Sequence, residues 1–197
     1  MGETVFVTGA AGLLGREMVR AATARGYHVV ALAHTDLDVT DAPAVRSVVR
    51  AHTPTHVIHC AAYTAVDGAE SEPELAMRVN RDGTESVAKA AAQAGAGLVY
   101  FSTDYVFDGL KVEPYLSSDS PAPVNSYGRS KLAGEYAAAD AHPDPPIIRT
   151  GWLYGGGGSS FIQAILKRAA TGKGLRVVDD QHGRPTWTRN LAEGTLE

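Results

Sequence analysis

In the stretch Asn125-Ser126-Tyr127-Gly128-Arg129-Ser130-Lys131 a tyrosine and a lysine stand four residues apart. On a helix such a pair shares one face. A phenol titrates near pH about 10, and an adjacent ammonium favours its ionised form, so the pair is suited to pass a proton to or from a substrate oxygen near neutral pH. Spacing alone is a weak signal: in a chain with eight tyrosines, roughly 0.2 chance matches are expected. Two further clusters give it context. Thr8-Gly9-Ala10-Ala11-Gly12-Leu13-Leu14-Gly15 has glycines three apart, which leaves backbone N–H groups open to an anion such as a pyrophosphate. Ser102-Thr103-Asp104 adds hydroxyl donors and a carboxylate.

The elements that must position these groups follow from periodicity. Residues 4–8 form a short apolar, β-rich run ending at the glycines, and residues 13–25 carry Leu14, Met18 and Ala22 at helical spacing before Gly26. Further strands are expected at 28–33, 55–62, 98–101, 147–150 and 175–178. Helices are expected at 42–51, 127–139 and 161–170, with one long helix at 74–94 on the stripe Leu75, Val79, Gly83, Val87 and Ala91. Residues 108–126 hold Pro114, Pro121 and Pro123 among serines and aspartates and read as loop. Continuous apolar strands alternating with helices predict a doubly wound α/β fold with a parallel sheet covered on both faces. In such a sheet ligands lie at the carboxyl ends of the strands, where the small residues Ala61 and Ala62, with Tyr63, end the third strand and Thr103 ends the fourth.

Composition narrows the function classes. The chain has 197 residues, 44% of them hydrophobic and 20% charged, which suits one soluble globular domain. A net charge of −4 without a basic block argues against a nucleic-acid partner. The single Cys60 has no disulfide partner and fits a reducing cytoplasm. No apolar run approaches the roughly 18 residues that would span a membrane. His59 in its apolar strand reads as a satisfied core histidine, and neither it nor His182 is needed for the proton.

The segments "VTGAAGLLGRE", "HCAAYTAVDGAESEPELAMRVN", "YFSTDYVFDG", "PVNSYGRSKLAGE", "IRTGWLYG" and "VVDDQHGRPTW" together resemble the dTDP-4-dehydrorhamnose reductase family of the extended short-chain dehydrogenase/reductase superfamily. The resemblance implies a Rossmann-like fold and NADPH-dependent, or NADH-dependent, reduction of the C4 ketone of a dTDP-4-dehydro-6-deoxysugar. It implies Thr103, Tyr127 and Lys131 as catalytic residues. On the cofactor it implies Gly9, Gly12, Leu13, Leu14 and Gly15 at the phosphates, Asp38 and Val39 at the adenine, and Ala61, Ala62, Tyr63, Tyr127 and Lys131 along the rest. Thr103, Asp104 and Trp152 are implied on the sugar. Tyr105 stands where sugar dehydratases of the superfamily carry a glutamate after Thr-Asp, which favours plain reduction over elimination.

Where an NAD enzyme carries a ribose-binding acid, the second strand ends Ala33-His34, which leaves room for a 2′-phosphate. Some relatives hold Mg²⁺ at a subunit interface, and Glu17 matches one such position, but no metal is assigned here. Family members continue for on the order of 90 residues past the D-Q-x-G-x-P-T motif, a domain-level difference. The expectation is one domain over residues 1–197, with the substrate region starting near residue 150 and most of the small substrate domain lacking. A homodimer is a further expectation. Two other readings stay open: a 4-ketoreductase of antibiotic deoxysugar synthesis, and an NADP-binding regulatory subunit like that of methionine adenosyltransferase.

Overall fold

The structure is a computed structural model that describes residues 2–157, 160–172, 174–177 and 179–197. In chain order the elements are β1 (Thr4–Thr8), α1 (Leu13–Ala24), β2 (His28–Leu32), α2 (Ala42–His52), β3 (His56–His59), α3 (Val66–Ser71) and α4 (Pro73–Met77). A π turn, Arg78–Gly83, leads into α5 (Thr84–Ala94), followed by β4 (Gly97–Thr103), a 3₁₀ turn (Asp104–Val106), α6 (Ser126–Ala141) and β5 (Ile147–Thr150). The remainder holds β6 (Leu153–Tyr154), α7 (Phe161–Ala169), β7 (Thr186–Trp187) and α8 (Thr188–Thr195).

Five strands pair in parallel in the order β2-β1-β3-β4-β5. Because side chains alternate along a strand, each strand feeds two cores. Phe6, Val57, Leu98 and Tyr100 face the layer made by Val45 and Val49 of α2, Val87 and Ala91 of α5, and Ala138 of α6. Val5, Val7, Ile58 and Phe101 face Met18 and Ala22 of α1 and Ala192 of α8. Burial on both sides explains why the strands read as unbroken apolar runs. The fold is therefore doubly wound α/β and Rossmann-like, as expected.

Local signals set several boundaries. Asp41 caps α2 by accepting from Ala44 N at 3.0 Å, with Pro43 in the first turn. Asn125 caps α6 by accepting from Gly128 N at 2.7 Å, which starts that helix at Ser126.

Three expectations need correction. The helix expected over 74–94 is interrupted by the π turn. A strict i, i+4 stripe drifts about 40° per step on an ideal α-helix, and the wider turn removes part of that drift where Val79 and Gly83 follow one another. Gly83 belongs there, because a Cβ would stand 2.8 Å from Val39 Cγ2. The strand expected at 175–178 is absent over 175–177, which is irregular, and Val178 lies outside the described residues. A strand needs a neighbour's backbone, and among the described residues the pairing beyond the main sheet is between β6 and β7. Helices α3 and α8 were not expected, since both are short; in α3 the glycine Gly68 makes room for the Tyr63 hydroxyl.

Candidate active site

A cleft of about 730 Å³ opens at the carboxyl ends of the strands, between β1 and β3, where the strand order reverses. Its floor is the glycine loop. Gly9 has φ +64°, and a Cβ there would lie 2.7 Å from Ala61 N; a Cβ on Gly15 would drive into Gly9 O. These two glycines press the loop against β3 and α1, and the α1 amino terminus is left facing the cleft. Gly12, Leu13 and Leu14 line the same wall, Ala61, Ala62 and Tyr63 the facing one, and Asp38 and Val39 the far end. All twelve residues expected at a cofactor therefore border one cavity.

Tyr127 and Lys131 open onto it from α6. Lys131 is 2% exposed, donates from Nζ to Phe101 O at 2.7 Å and lies 4.2 Å above the Tyr100 ring. Burial pulls its ammonium down to about 7, against the pull of Glu135 one turn further along α6. Glu135 is itself clamped by Arg149 of β5 through two contacts of 2.9 and 2.7 Å. Tyr127 is buried among Ala69, Ala76 and the edge of Tyr105 at 5.7 Å. Burial pushes its phenol up to about 12, the opposite of the ammonium-lowered tyrosine expected from spacing. Asp104 and Tyr105 add to the effect of burial, and the lysine amine is directed to a backbone carbonyl.

Thr103 is 4% exposed, lies near enough to the Tyr127 phenol to ease its ionisation, donates to Asp104 Oδ1 at 3.1 Å and accepts from Tyr105 N at 3.2 Å. It stands behind Tyr127 and does not line the cleft. Asp104 packs on Gly151, where a Cβ would sit 2.5 Å from its Cγ. Desolvation raises the Asp104 carboxyl above the usual range. Trp152 holds a left-handed backbone, φ +50°, and its indole covers Gly183, outside the cleft wall. The three residues expected on the sugar, Thr103, Asp104 and Trp152, are therefore not among those that line the cavity.

Sequence reasoning missed the cleft residues Thr40, Arg78 and Thr150, and noted His34 and Ser102 without assigning them a contact there. His34 was visible as the residue that replaces an acid at the end of β2; Arg78 carried no motif signal. Ser102 Oγ is buried without a hydrogen-bond partner among the described residues, while lining the cleft, which marks it for a bound group. His59 is satisfied on both nitrogens, by Thr8 Oγ1 at 2.7 Å and Thr84 Oγ1 at 3.1 Å, and burial holds it down to about 3. That is the core histidine expected. Glu17 pairs with Arg20 at 2.7 Å, and Arg20 reaches Glu193 at 3.4 Å. Among the described residues no group of three or more acids, histidines or cysteines could hold a metal ion.

The profile of the family described as RmlD substrate binding domain matches residues 3–197. The chain is 49% identical over 189 residues to dTDP-4-dehydrorhamnose reductase of Streptomyces griseus, covering 95% of this chain and 62% of that protein. It is 44% identical over 189 residues to dTDP-4-keto-6-deoxy-D-glucose reductase of Streptomyces niveus, covering 95% and 66%. The crystal structure of dTDP-4-dehydrorhamnose reductase from Bacillus anthracis in complex with NADP superposes with a TM-score of 0.96 at 40% identity, over 100% of this chain and 70% of that one. The chain thus spans less than two thirds of the length of these curated relatives.

Proposed function

The chain belongs to the RmlD substrate binding domain family, and on that premise we propose that its cleft serves NADPH-dependent reduction of the C4 ketone of a dTDP-4-dehydro-6-deoxysugar, dTDP-4-dehydro-L-rhamnose first. The observation that carries the proposal is the meeting of Tyr127 and Lys131, both buried, with the glycine loop around one cleft.

The residues fit a dinucleotide. Gly9 and Gly15 leave a cradle that side chains would fill, and the orphan Ser102 hydroxyl needs a partner. In this reading the glycine loop and the α1 amino terminus hold the pyrophosphate, Asp38 and Val39 the adenine, and Lys131 the nicotinamide ribose. When bound, the cofactor supplies the hydride that reaches the ketone carbon.

The chain's own residues manage the oxygen. The raised phenol of Tyr127 keeps its proton at neutral pH, so it donates to the carbonyl oxygen as negative charge develops there. Thr103, close to the phenol, is assigned to orient it. Lys131, poised at about 7, stands close to the ambient proton activity and can return the proton to the tyrosinate. Asp104 and Trp152 are proposed against the sugar. Tyr105 in place of a glutamate leaves no second acid for elimination.

The test is NADPH consumption with dTDP-4-dehydrorhamnose. Tyr127→Phe is expected to lower kcat by about 100-fold or more while NADPH still binds, since only the proton donor is removed. Full turnover in the variant, or none in the unaltered protein with any dTDP-4-keto-6-deoxysugar, would defeat the proposal. The likeness to the Streptomyces niveus protein supports a second sugar, a 4-keto-6-deoxyglucose, to be run in the same assay. The regulatory reading is disfavoured, because a regulator has no use for Thr103, Tyr127 and Lys131 together. We place the enzyme in the cytoplasm and infer a homodimer, as the free Cys60 and the exposed apolar side chains near α7 suggest. Among the described residues no helix is long and apolar enough to cross a membrane.

A further inference from the structure

We propose that Glu135, held by Arg149, is the counter-charge of the Lys131 ammonium, and that the two are positioning residues for the proton this lysine handles. The inference rests on the reductase reading above and adds two residues to it.

Glu135 follows Lys131 by four residues on α6, so the two side chains leave the helix on one face. At 5% and 2% exposure, both residues are buried against the sheet. Beneath them β4 and β5 run in register, Tyr100 beside Ile147 and Ser102 beside Arg149. Tyr100 receives the lysine, its ring centroid 4.2 Å from Nζ. Arg149 receives the glutamate, donating from Nε to Oε1 at 2.9 Å and from Nη2 to Oε2 at 2.7 Å. The guanidinium also packs on the Phe107 ring at 5.0 Å, and that ring stacks on Tyr115 at 4.2 Å. A buried carboxylate requires a charged partner with well-placed donors, and the guanidinium fork supplies both. As a purely structural device such a pair has little to offer, because apolar side chains of similar volume often serve the fold as well. Its place one turn from a reacting lysine gives it a use.

The groups that face Lys131 leave Glu135 as the anion among the described residues. Cys60 lines the same cleft, and burial pushes its thiol up to about 12. Burial likewise pushes Tyr127 up to about 12 and raises the Tyr100 phenol, so at neutral pH all three keep their protons. His59, its ring centroid 5.8 Å from that of Tyr100, is held down to about 3 by burial and is neutral. From β4, Phe101 offers a carbonyl and Ser102 a hydroxyl, both uncharged. Arg149, the cation of the group, is engaged by the carboxylate itself. Burial pulls the Lys131 ammonium down, and at neutral pH the Glu135 carboxylate is the charge that opposes it. The lysine is left where it can both hold a proton and give it up.

The test is a pH titration of the 197-residue chain carrying carbon-13 at lysine Cε, read by NMR. The chain has five lysines, and Lys131→Met assigns the signal. Expected is a Lys131 midpoint lower by on the order of one pH unit or more in Glu135→Gln, which removes the charge and keeps an acceptor for Arg149. Glu135→Asp restores the charge and should bring the midpoint to within about half a pH unit of the parent. The double variant Glu135→Leu with Arg149→Met replaces the pair by apolar side chains and should lower the midpoint in the same direction, so the outcome does not hang on the folding of Glu135→Gln alone. In NADPH turnover the alkaline limb of kcat should move down with the midpoint, since less ammonium is left to reprotonate the tyrosinate. A Lys131 midpoint unmoved by loss of the Glu135 charge, or one that drops as far in Glu135→Asp, would overturn the assignment and leave the reductase reading standing. Absence of turnover with any dTDP-4-keto-6-deoxysugar would overturn the reductase reading, while the NMR midpoint still decides whether Glu135 is the counter-charge.

Discussion

Lys131 carries the largest electrostatic tension of any single residue in the site. Its folded pKa near 7 lies below the ordinary 10.5, so between those values the unfolded chain binds the extra proton and stability rises with pH; below 7 the full cost of burying the ammonium is present. Lys131→Met is therefore expected to stabilise the fold at pH 7 by on the order of 1 kcal/mol or more, and the advantage should shrink towards pH 10. Urea midpoints of variant and parent at the two pH values check this; an advantage independent of pH would refute the assignment of its cause. Stability is given up here for function, since the same variant should lose turnover. At this scale the sequence showed which residues meet. It did not show the sign of their pKa shifts, because spacing along a helix says nothing of how dry its face is. Tyr127 goes up by burial, and the neighbouring Asp104 and Tyr105 add to the rise.

Helix α6 is set by its contacts with the π turn. Asn80 bridges two elements: its Oδ1 accepts from Tyr63 N at 2.8 Å and its Nδ2 donates to Tyr63 O at 3.0 Å and to Ser130 Oγ at 2.9 Å. Gly134 lets α6 close on that turn, since a Cβ would overlap Asn80 O and the Tyr100 hydroxyl. Gly134→Ala is expected to cost about 2 kcal/mol or more in urea unfolding and to raise the NADPH Kd, because α6 must move away and take Tyr127 and Lys131 with it. An alanine variant as stable as the parent would show that α6 has slack. The βα rhythm was legible because each main strand and helix repeats its apolar period over several turns or pleats. The π turn, the β6–β7 pair and α8 were not. The first hides inside an i, i+4 stripe that looks regular, and the others are too short to show a period and exist through tertiary contacts, such as those of α8 on α1.

Across the whole molecule, apolar surface is unevenly covered. Phe161 and Leu166 of α7 are 60% and 63% exposed, with Ile162, Leu175, Val177 and Trp187 also exposed, and no α7 side chain is buried. A helix with a capping box at Ser160 and Gln163 but no buried face has its apolar stripe open to association. The 197-residue chain is expected to self-associate at tens of micromolar, and Phe161→Ser with Leu166→Lys to shift it to monomer, as light scattering after gel filtration would read; an unaffected mass would locate the contact elsewhere. The parallel strand order has a kinetic consequence as well. Gly9, Ala61, Ser102 and Tyr127 are far apart in the chain and come together only after β1, β3 and β4 have paired, so the cleft has no partial form that a ligand could grip. Such non-local pairing folds slowly, and a ligand that recognises only the finished cleft acts as a sink at the end of the route. NADPH at a hundred times its Kd would add about 2.7 kcal/mol to the native state, so refolding yield, and not only turnover, should depend on whether cofactor is present when the chain folds.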